Sequence, residues 1–252
     1  FFQPGPPSEL QPMFVNEVKP YLAGKTVDEI YSRVLRIFGV GESSVEAKIK
    51  DLLQKQSNPT IAPLAGAGEV KMRITAKAAS RQEAEKMIVP VQKDIESRLG
   101  NAVYGYDDDP MEMIVIKSLR EKEMYLALAE SCTGGHVTDL ITNIPGASDV
   151  LLESCVTYSN EAKVKRLGVS EDTLKKYGAV SSQTAYEMAE GIRKISGADI
   201  GAAITGIAGP GGATRQKPVG LIYLSLSSYG GTETKELHLS GNRLRIKEAA
   251  AL

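Results

Sequence analysis

The sequence predicts an α/β protein in two parts, a small α+β domain followed by a three-layer α/β/α domain with a mixed sheet. Three observations carry this. Over 111–252 apolar strand-like runs alternate with helical stretches, a pattern that calls for parallel strands with helices on both faces. Two further runs, 219–227 and 232–239, meet around Tyr229-Gly230-Gly231 as a hairpin, which adds antiparallel strands to that sheet. The acidic, proline-ended segment Asp107-Asp108-Asp109-Pro110 separates all of this from a shorter pattern over 26–106.

The chain has 252 residues, enough for one large domain or two small ones. Charged residues make up 24% and the formal net charge is −1, so nothing drives the whole chain toward nucleic acid or an anionic membrane. No apolar run approaches the ~18 residues of a membrane span, and the start has no signal-peptide pattern. Two cysteines, Cys132 and Cys155, fit a reducing compartment, so a cytoplasmic location is expected. With two histidines, His136 and His238, a histidine-rich metal centre is not expected. Residue 1 is Phe, the opening Phe1-Phe2-Gln3-Pro4 belongs to no clear element, and the end at 243–252 reads as a helix cut in mid-course. The chain therefore reads as a fragment of something longer.

In the first part, Ser8 is placed to cap a short helix over 9–17 in spite of Pro12. A strand follows over 30–38, then a turn at Gly39-Val40-Gly41-Glu42. One amphipathic helix spans 43–56, with Val45, Ile49, Leu52 and Leu53 on one face. Strands over 60–64 and 70–76 flank Gly66-Ala67-Gly68. Ser80 with Glu83 three residues on is a capping box for a helix over 80–99, in which Pro90 predicts a kink or break. A last strand covers 102–106.

In the second part, a helix over 111–121 precedes a buried strand over 125–129. The small polar stretch Ser131-Cys132-Thr133-Gly134-Gly135 then leads into a helix over 136–143. Such a turn places free backbone N–H groups at the helix start, where they suit an anion or an oxyanion. A strand over 151–158 follows, then a helix over 160–167 closed by Gly168, a helix over 171–177 capped by Ser170, and a long helix over 183–195. Ser181 or Ser182 caps that long helix and Gly197 closes it. A continuous apolar strand over 199–205 runs into the glycine loop 206–218.

That loop, Gly206-Ile207-Ala208-Gly209-Pro210-Gly211-Gly212, lacks the Lys-Ser/Thr of a phosphate loop and leads into a strand, not a helix. An ATPase and a dinucleotide site are therefore excluded, although the glycines still let backbone approach a ligand. Cys132 sits where a helix N-terminus lowers a thiol pKa, but no histidine is placed in sequence to serve it as a base. Ser148 and Lys163 form a second candidate pair, since a serine becomes a nucleophile when a lysine of depressed pKa takes its proton. Arg243, just before the last helix, suits two-pronged capture of a carboxylate or phosphate.

Five stretches occur in order: 129–135 (Ala-Glu-Ser-Cys-Thr-Gly-Gly), 156–163 (Val-Thr-Tyr-Ser-Asn-Glu-Ala-Lys), 178–181 (Gly-Ala-Val-Ser), 205–212 (Thr-Gly-Ile-Ala-Gly-Pro-Gly-Gly) and 217–220 (Lys-Pro-Val-Gly). Together they resemble the C-terminal domain of the CinA (competence/damage-inducible) family, the nicotinamide-mononucleotide deamidase domain. Residues 25–109 resemble the family's KH-like middle domain, and residues 1–24 resemble the end of its molybdopterin-binding-like first domain with a linker. The deamidase domain then covers 110–252. Most of the first domain is absent from the chain, so the ADP-ribose pyrophosphatase activity attributed to that domain is not expected here.

The resemblance implies an amidohydrolase that converts nicotinamide mononucleotide and water to nicotinate mononucleotide and ammonia, with no cofactor and no metal. It matches the family's serine nucleophile to Ser148 and its lysine base to Lys163. Ser131, Tyr158 and Thr205 match hydroxyl-bearing positions of the pocket, with Ser131 and Tyr158 counted in the catalytic set. Arg243, Thr205, Gly206, Gly209, Thr133 and Gly134 are the substrate-binding candidates. A homodimer is implied. The Gly-x-x-Gly loop with which KH domains grip nucleic acid is missing, because its fourth position is Glu42, so nucleic acid is not an expected partner. Two other readings stand beside this one. In the first, the chain is a non-catalytic nucleotide- or RNA-binding assembly module. In the second, it is a cysteine amidase acting through Cys132.

Overall fold

The computed structural model describes residues 5–23, 29–65 and 69–252. The expected start at residues 1–4 and the glycine turn at 66–68 lie outside the described residues. The chain divides into two compact units between Asp108 and Asp109. No described helix is long and apolar enough to cross a membrane.

The N-terminal unit opens with helix α1 (Pro7–Met13), a π-helical stretch (Phe14–Val18) and α2 (Lys19–Ala23). Ser8 caps nothing: Pro7 takes the first helical position, where its missing N–H costs no hydrogen bond, and Pro6 precedes it in extended conformation. The core sheet has strands β1 (Glu29–Phe38), β2 (Thr60–Ala65), β3 (Glu69–Ala78) and β4 (Val103–Tyr106), all antiparallel in the order β2-β3-β1-β4. Strict alternation on β3 sends Val70, Met72, Ile74, Ala76 and Ala78 to one face, where helix α5 (Arg81–Leu99) covers them with Ala84, Ile88, Ile95 and Leu99.

The structure corrects two helix expectations here. The single helix over 43–56 is two, α3 (Glu42–Lys48) and α4 (Lys50–Lys55). Ile49 leaves helical geometry between them (φ −117°, ψ 17°) and buries its side chain completely in the core. Conversely, α5 continues through Pro90 without a break. Pro90 and Lys86 are both exposed, so the Lys86 carbonyl that loses its donor is left to solvent.

The C-terminal unit has helices α6 (Met111–Glu121), α7 (His136–Thr142), α8 (Asn160–Leu167), α9 (Glu171–Tyr177), α10 (Ser182–Ser196) and α11 (Arg243–Ala251). They surround strands β5 (Leu126–Glu130), β6 (Leu151–Val156), β7 (Ile200–Gly206), β8 (Leu221–Ser228) and β9 (Gly231–His238), in the order β6-β5-β7-β8-β9. β5 runs parallel to both β6 and β7, and the remaining pairs are antiparallel, so the sheet is mixed. β5 is buried along its whole length. Its Ala127 and Ala129 face Leu167, Leu174, Met188 and Ile192 of α8, α9 and α10. Its Leu126 and Leu128 face Ile116, Leu119 and Ile141 of α6 and α7. Two apolar faces on one sheet give the three layers. Ser170 and Ser181 cap α9 and α10 with their hydroxyls, and Gly168 and Gly197 close α8 and α10 in left-handed conformation.

Candidate active site

Because β5, β6 and β7 are parallel, their carboxyl ends share one edge of the sheet, and the segments that leave them meet there. Ser131 follows β5, and its N–H donates to the Ile204 carbonyl of β7 at 3.0 Å. β6 ends at Val156, two residues earlier than the sequence suggests, so the Thr157 and Tyr158 carbonyls lie beyond the ladder. The Ser159 hydroxyl then caps α8 by accepting from the Ala162 N–H at 3.1 Å, and Lys163 falls on the first turn with its side chain pointing back at this edge.

Lys163 is 0% exposed. Its Nζ donates to the Thr157 carbonyl at 2.7 Å and the Tyr158 carbonyl at 3.4 Å, and stands 3.1 Å from Ser131 Oγ. No carboxylate is among these partners. Burial pushes the Lys163 pKa below the ordinary lysine value, against a small opposing effect of Cys132. A neutral amine has two N–H donors and one lone pair. Once Lys163 has lost a proton, its two remaining N–H groups match the two carbonyls and its lone pair is free to take the Ser131 proton.

The pair opens into a cavity of about 280 Å³. Ser131, Tyr158, Lys163, Thr205, Gly206, Gly209 and Arg243 all line it, so seven of the sequence candidates come together, and no carboxylate is among its lining residues. Thr205 Oγ1 donates to the Ala179 carbonyl at 2.8 Å and ties the end of β7 to the loop before α10. Arg243 donates from Nη1 to the Gly209 carbonyl at 2.6 Å and from Nη2 to the Tyr158 hydroxyl at 3.2 Å, so it also holds the glycine loop. Gly209 has φ +77° and packs against Val219 so closely that a Cβ would come within 2.7 Å of it.

Four expectations are not met. Ser148 is exposed in a single 3₁₀ turn (Ala147–Asp149) ahead of β6, at the amino edge of the sheet. The length of the five-residue strand β5, on the order of 15 Å, separates that edge from Lys163, so this serine does not meet this lysine. Thr133 and Gly134 line a separate recess of about 310 Å³ with His136 and Lys247. The N–H groups at the start of α7 are also not free: Gly135, Val137 and Thr138 donate theirs to the carboxylate of Glu130. Cys132 lines the cavity, but burial pushes its thiol up to about 11, the opposite of the lowered pKa that the helix N-terminus suggests in the sequence.

Sequence reasoning missed Glu130 and Lys217. Lys217 donates to the Tyr177 carbonyl at 2.5 Å and the Val180 carbonyl at 2.6 Å, which fixes the cavity wall at Ala179 and Val180. Both residues stand inside the quoted motifs, and the signal was their charge type among small and apolar neighbours.

Fold and site together define a class: an α/β protein with a buried serine–lysine pair at the carboxyl edge of a mixed sheet. The chain belongs to the CinA family. The family model described as the CinA C-terminal domain matches residues 108–252, and that of the damage-inducible protein CinA KH domain matches residues 32–105. The chain is 52% identical to a CinA-like protein of Kosmotoga olearia over 249 residues, which is 99% of this chain and 60% of that protein. It is 50% identical to a putative competence-damage inducible protein of Acetivibrio thermocellus, again over 99% of this chain and 60% of the relative. The chain thus spans about 60% of the length of these curated relatives. The solved structure of competence/damage inducible protein CihA from Agrobacterium tumefaciens matches with TM-score 0.55 and 39% identity over 56% of this chain and 86% of that one. A CinA superfamily protein from Escherichia coli matches with TM-score 0.55 and 31% identity over 57% and 86%.

Proposed function

We propose that this chain hydrolyses the carboxamide of nicotinamide mononucleotide to the carboxylate and ammonia, with Ser131 as nucleophile and Lys163 as base. The observation that carries the reading is the 3.1 Å contact between Lys163 Nζ and Ser131 Oγ, at an amine whose other partners are neutral carbonyls. Ser131 Oγ attacks the carboxamide carbon while its proton passes to Nζ. The Cys132 and Thr133 N–H groups, which follow Ser131 in the same turn, hold the tetrahedral oxyanion. In other enzymes one such donor is worth ~3 kcal/mol. Lys163 returns the proton to the departing nitrogen, ammonia leaves, and an ester on Ser131 remains. Water then attacks the ester, Lys163 takes its proton and passes it to Ser131 Oγ, and nicotinate mononucleotide is released.

Two features of the cavity support an anionic substrate: it lacks carboxylates, and Arg243 keeps N–H groups beyond those on Gly209 and Tyr158 for a phosphate. A homodimer in the cytoplasm completes the proposal. The unpaired edge of β6, with Leu152 and Val156 about half exposed, suits a second copy, and sedimentation tests it.

Ammonia release from nicotinamide mononucleotide is the test. The parent is expected to turn over, Ser131→Ala to lose at least ~10³-fold, and Ser148→Ala to stay within about twofold, as expected of an exposed residue outside the cavity. Turnover by Ser131→Ala at the parent rate would remove Ser131 as the nucleophile.

A further inference from the structure

Among the described residues, Glu130 is the buried carboxylate of the C-terminal unit, and the proposed reaction does not use it. It is 1% exposed. Its carboxylate accepts five hydrogen bonds: from Thr133 Oγ1 at 2.7 Å, Gly135 N at 2.8 Å, Val137 N at 3.2 Å, Thr138 N at 2.8 Å and Thr138 Oγ1 at 2.6 Å. None of these donors is a cation. Burial pushes its pKa up, but the hydrogen bonds from Thr138, Thr133 and the backbone outweigh this and hold it below the usual glutamate value. The donors span the turn that follows Ser131, and the Thr138 hydroxyl also bonds Ser154 on β6.

The backbone of the same residue reaches the other half of the pair. The Glu130 carbonyl accepts from Thr157 N at 2.9 Å, and the Thr157 carbonyl accepts from Lys163 Nζ at 2.7 Å. The side chain of Glu130 therefore fixes the turn that carries Ser131, and its main chain fixes the carbonyl that aims Lys163.

We propose that Glu130 is the positioning residue of the Ser131–Lys163 pair, an internal anion that clamps the nucleophile's turn onto the start of α7. This rests on the reading of Ser131 as nucleophile. Only a carboxylate fits the clamp. Both of its oxygens face backbone N–H groups, which cannot become acceptors, so a glutamine sets its NH₂ against a donor whichever way it turns. Aspartate is one methylene short of them.

The test compares the full chain with its Glu130→Gln and Thr138→Val variants in two assays. One is ammonia release from nicotinamide mononucleotide. The other is sulfonylation of Ser131 by phenylmethanesulfonyl fluoride, read as a mass shift on its peptide. In Glu130→Gln, kcat and the labelling rate are both expected to fall ~10–100-fold, with KM within about twofold, because a misplacement near 1 Å costs on that order. Thr138→Val removes one of the five bonds and is expected to lose about three- to fivefold in both assays. If Glu130→Gln does not fold, Thr138→Val carries the test. A folded variant that keeps parent kcat and labelling, or that loses only thermal stability, overturns the proposal. So does a folded parent whose Ser131 is not labelled, since the pair is then not reactive. Rapid labelling of the parent without ammonia release, slowed in Glu130→Gln, would leave the positioning role standing while the proposed reaction fell.

Discussion

Among the described residues, each unit buries one basic side chain, and the two are solvated in opposite ways. In the N-terminal unit Arg36 is 8% exposed and grips Glu69 with two bonds, Nη2 to Oε1 at 2.7 Å and Nε to Oε2 at 3.0 Å. The Tyr104 hydroxyl donates to the same carboxylate, and its ring lies 5.7 Å from the guanidinium. Burial lowers the Arg36 pKa, but the ion pair with Glu69 outweighs it and raises the value overall. For Glu69, burial works upward and is outweighed by Arg36 and Tyr104, which bring the carboxyl down to about 2. In the C-terminal unit Lys163 meets carbonyls and a hydroxyl, and burial lowers its pKa. A buried cation with a counter-ion stays charged and serves the fold. A buried amine with neutral partners can give up its proton, and that makes it useful as a base.

Removing each cation tests this contrast most sharply. Lys163→Met is expected to cut ammonia release by at least ~10³-fold while the thermal midpoint of the protein rises, because a buried titratable group without a counter-ion is gone. A fall in the midpoint would mean that Lys163 is held as a stable cation. Arg36→Met should do the reverse, leaving kcat near the parent value and costing about 3–5 kcal/mol in the N-terminal unit, since Glu69 is then buried without its partner. Hydrogen exchange of β1 and β3 amides would read that loss, and adding Glu69→Leu should restore much of it.

The pH dependences have different signs and windows. The Lys163 pKa is depressed on folding, so the unfolded chain holds more protons between that lowered value and the ordinary 10.5. Stability of the C-terminal unit should therefore rise with pH across this window, and kcat/KM should reach half its maximum below 10.5, as Lys163 loses its proton. A pH–rate midpoint at the ordinary lysine value would contradict a burial-depressed base. Glu69 is a depressed carboxyl. Its contribution, about 3 kcal/mol from the shift, is complete above the unfolded value of 4.5 and disappears as pH falls toward about 2. Acid unfolding followed on β3 amides should show this, and Glu69→Gln should abolish it. The smallest effect is expected for Cys132→Ala, within about threefold in kcat/KM, less than 1 kcal/mol. A large loss would reopen the cysteine reading.

Much of the fold could be read in the sequence. The long α-helices and the closing glycines fell where periodicity and capping placed them, because those signals are local. The departures were local sequence rules overridden by packing or solvent. Ile49 breaks a helix to enter the core, while Pro90 does not break one because its side faces water. At the site, the residue types were legible and one partnership was not. Ser148 and Ser131 are both serines in turns next to strands. The available signal was chain direction: Ser131 and Lys163 both follow parallel strands, whereas Ser148 precedes one, so only the first two share the carboxyl edge.

The sequence by itself determined the two-part α/β architecture, the polar turn after β5, the lysine on the first turn of α8 and the arginine that opens α11. Each follows from periodicity, capping or motif within a few residues. Only the tertiary structure decided which hydroxyl the lysine faces, that burial raises the pKa of the Cys132 thiol, and that Glu130 fills the start of α7. Those depend on distance across the sheet and on exclusion of water, and neither is written in the spacing of residues along the chain.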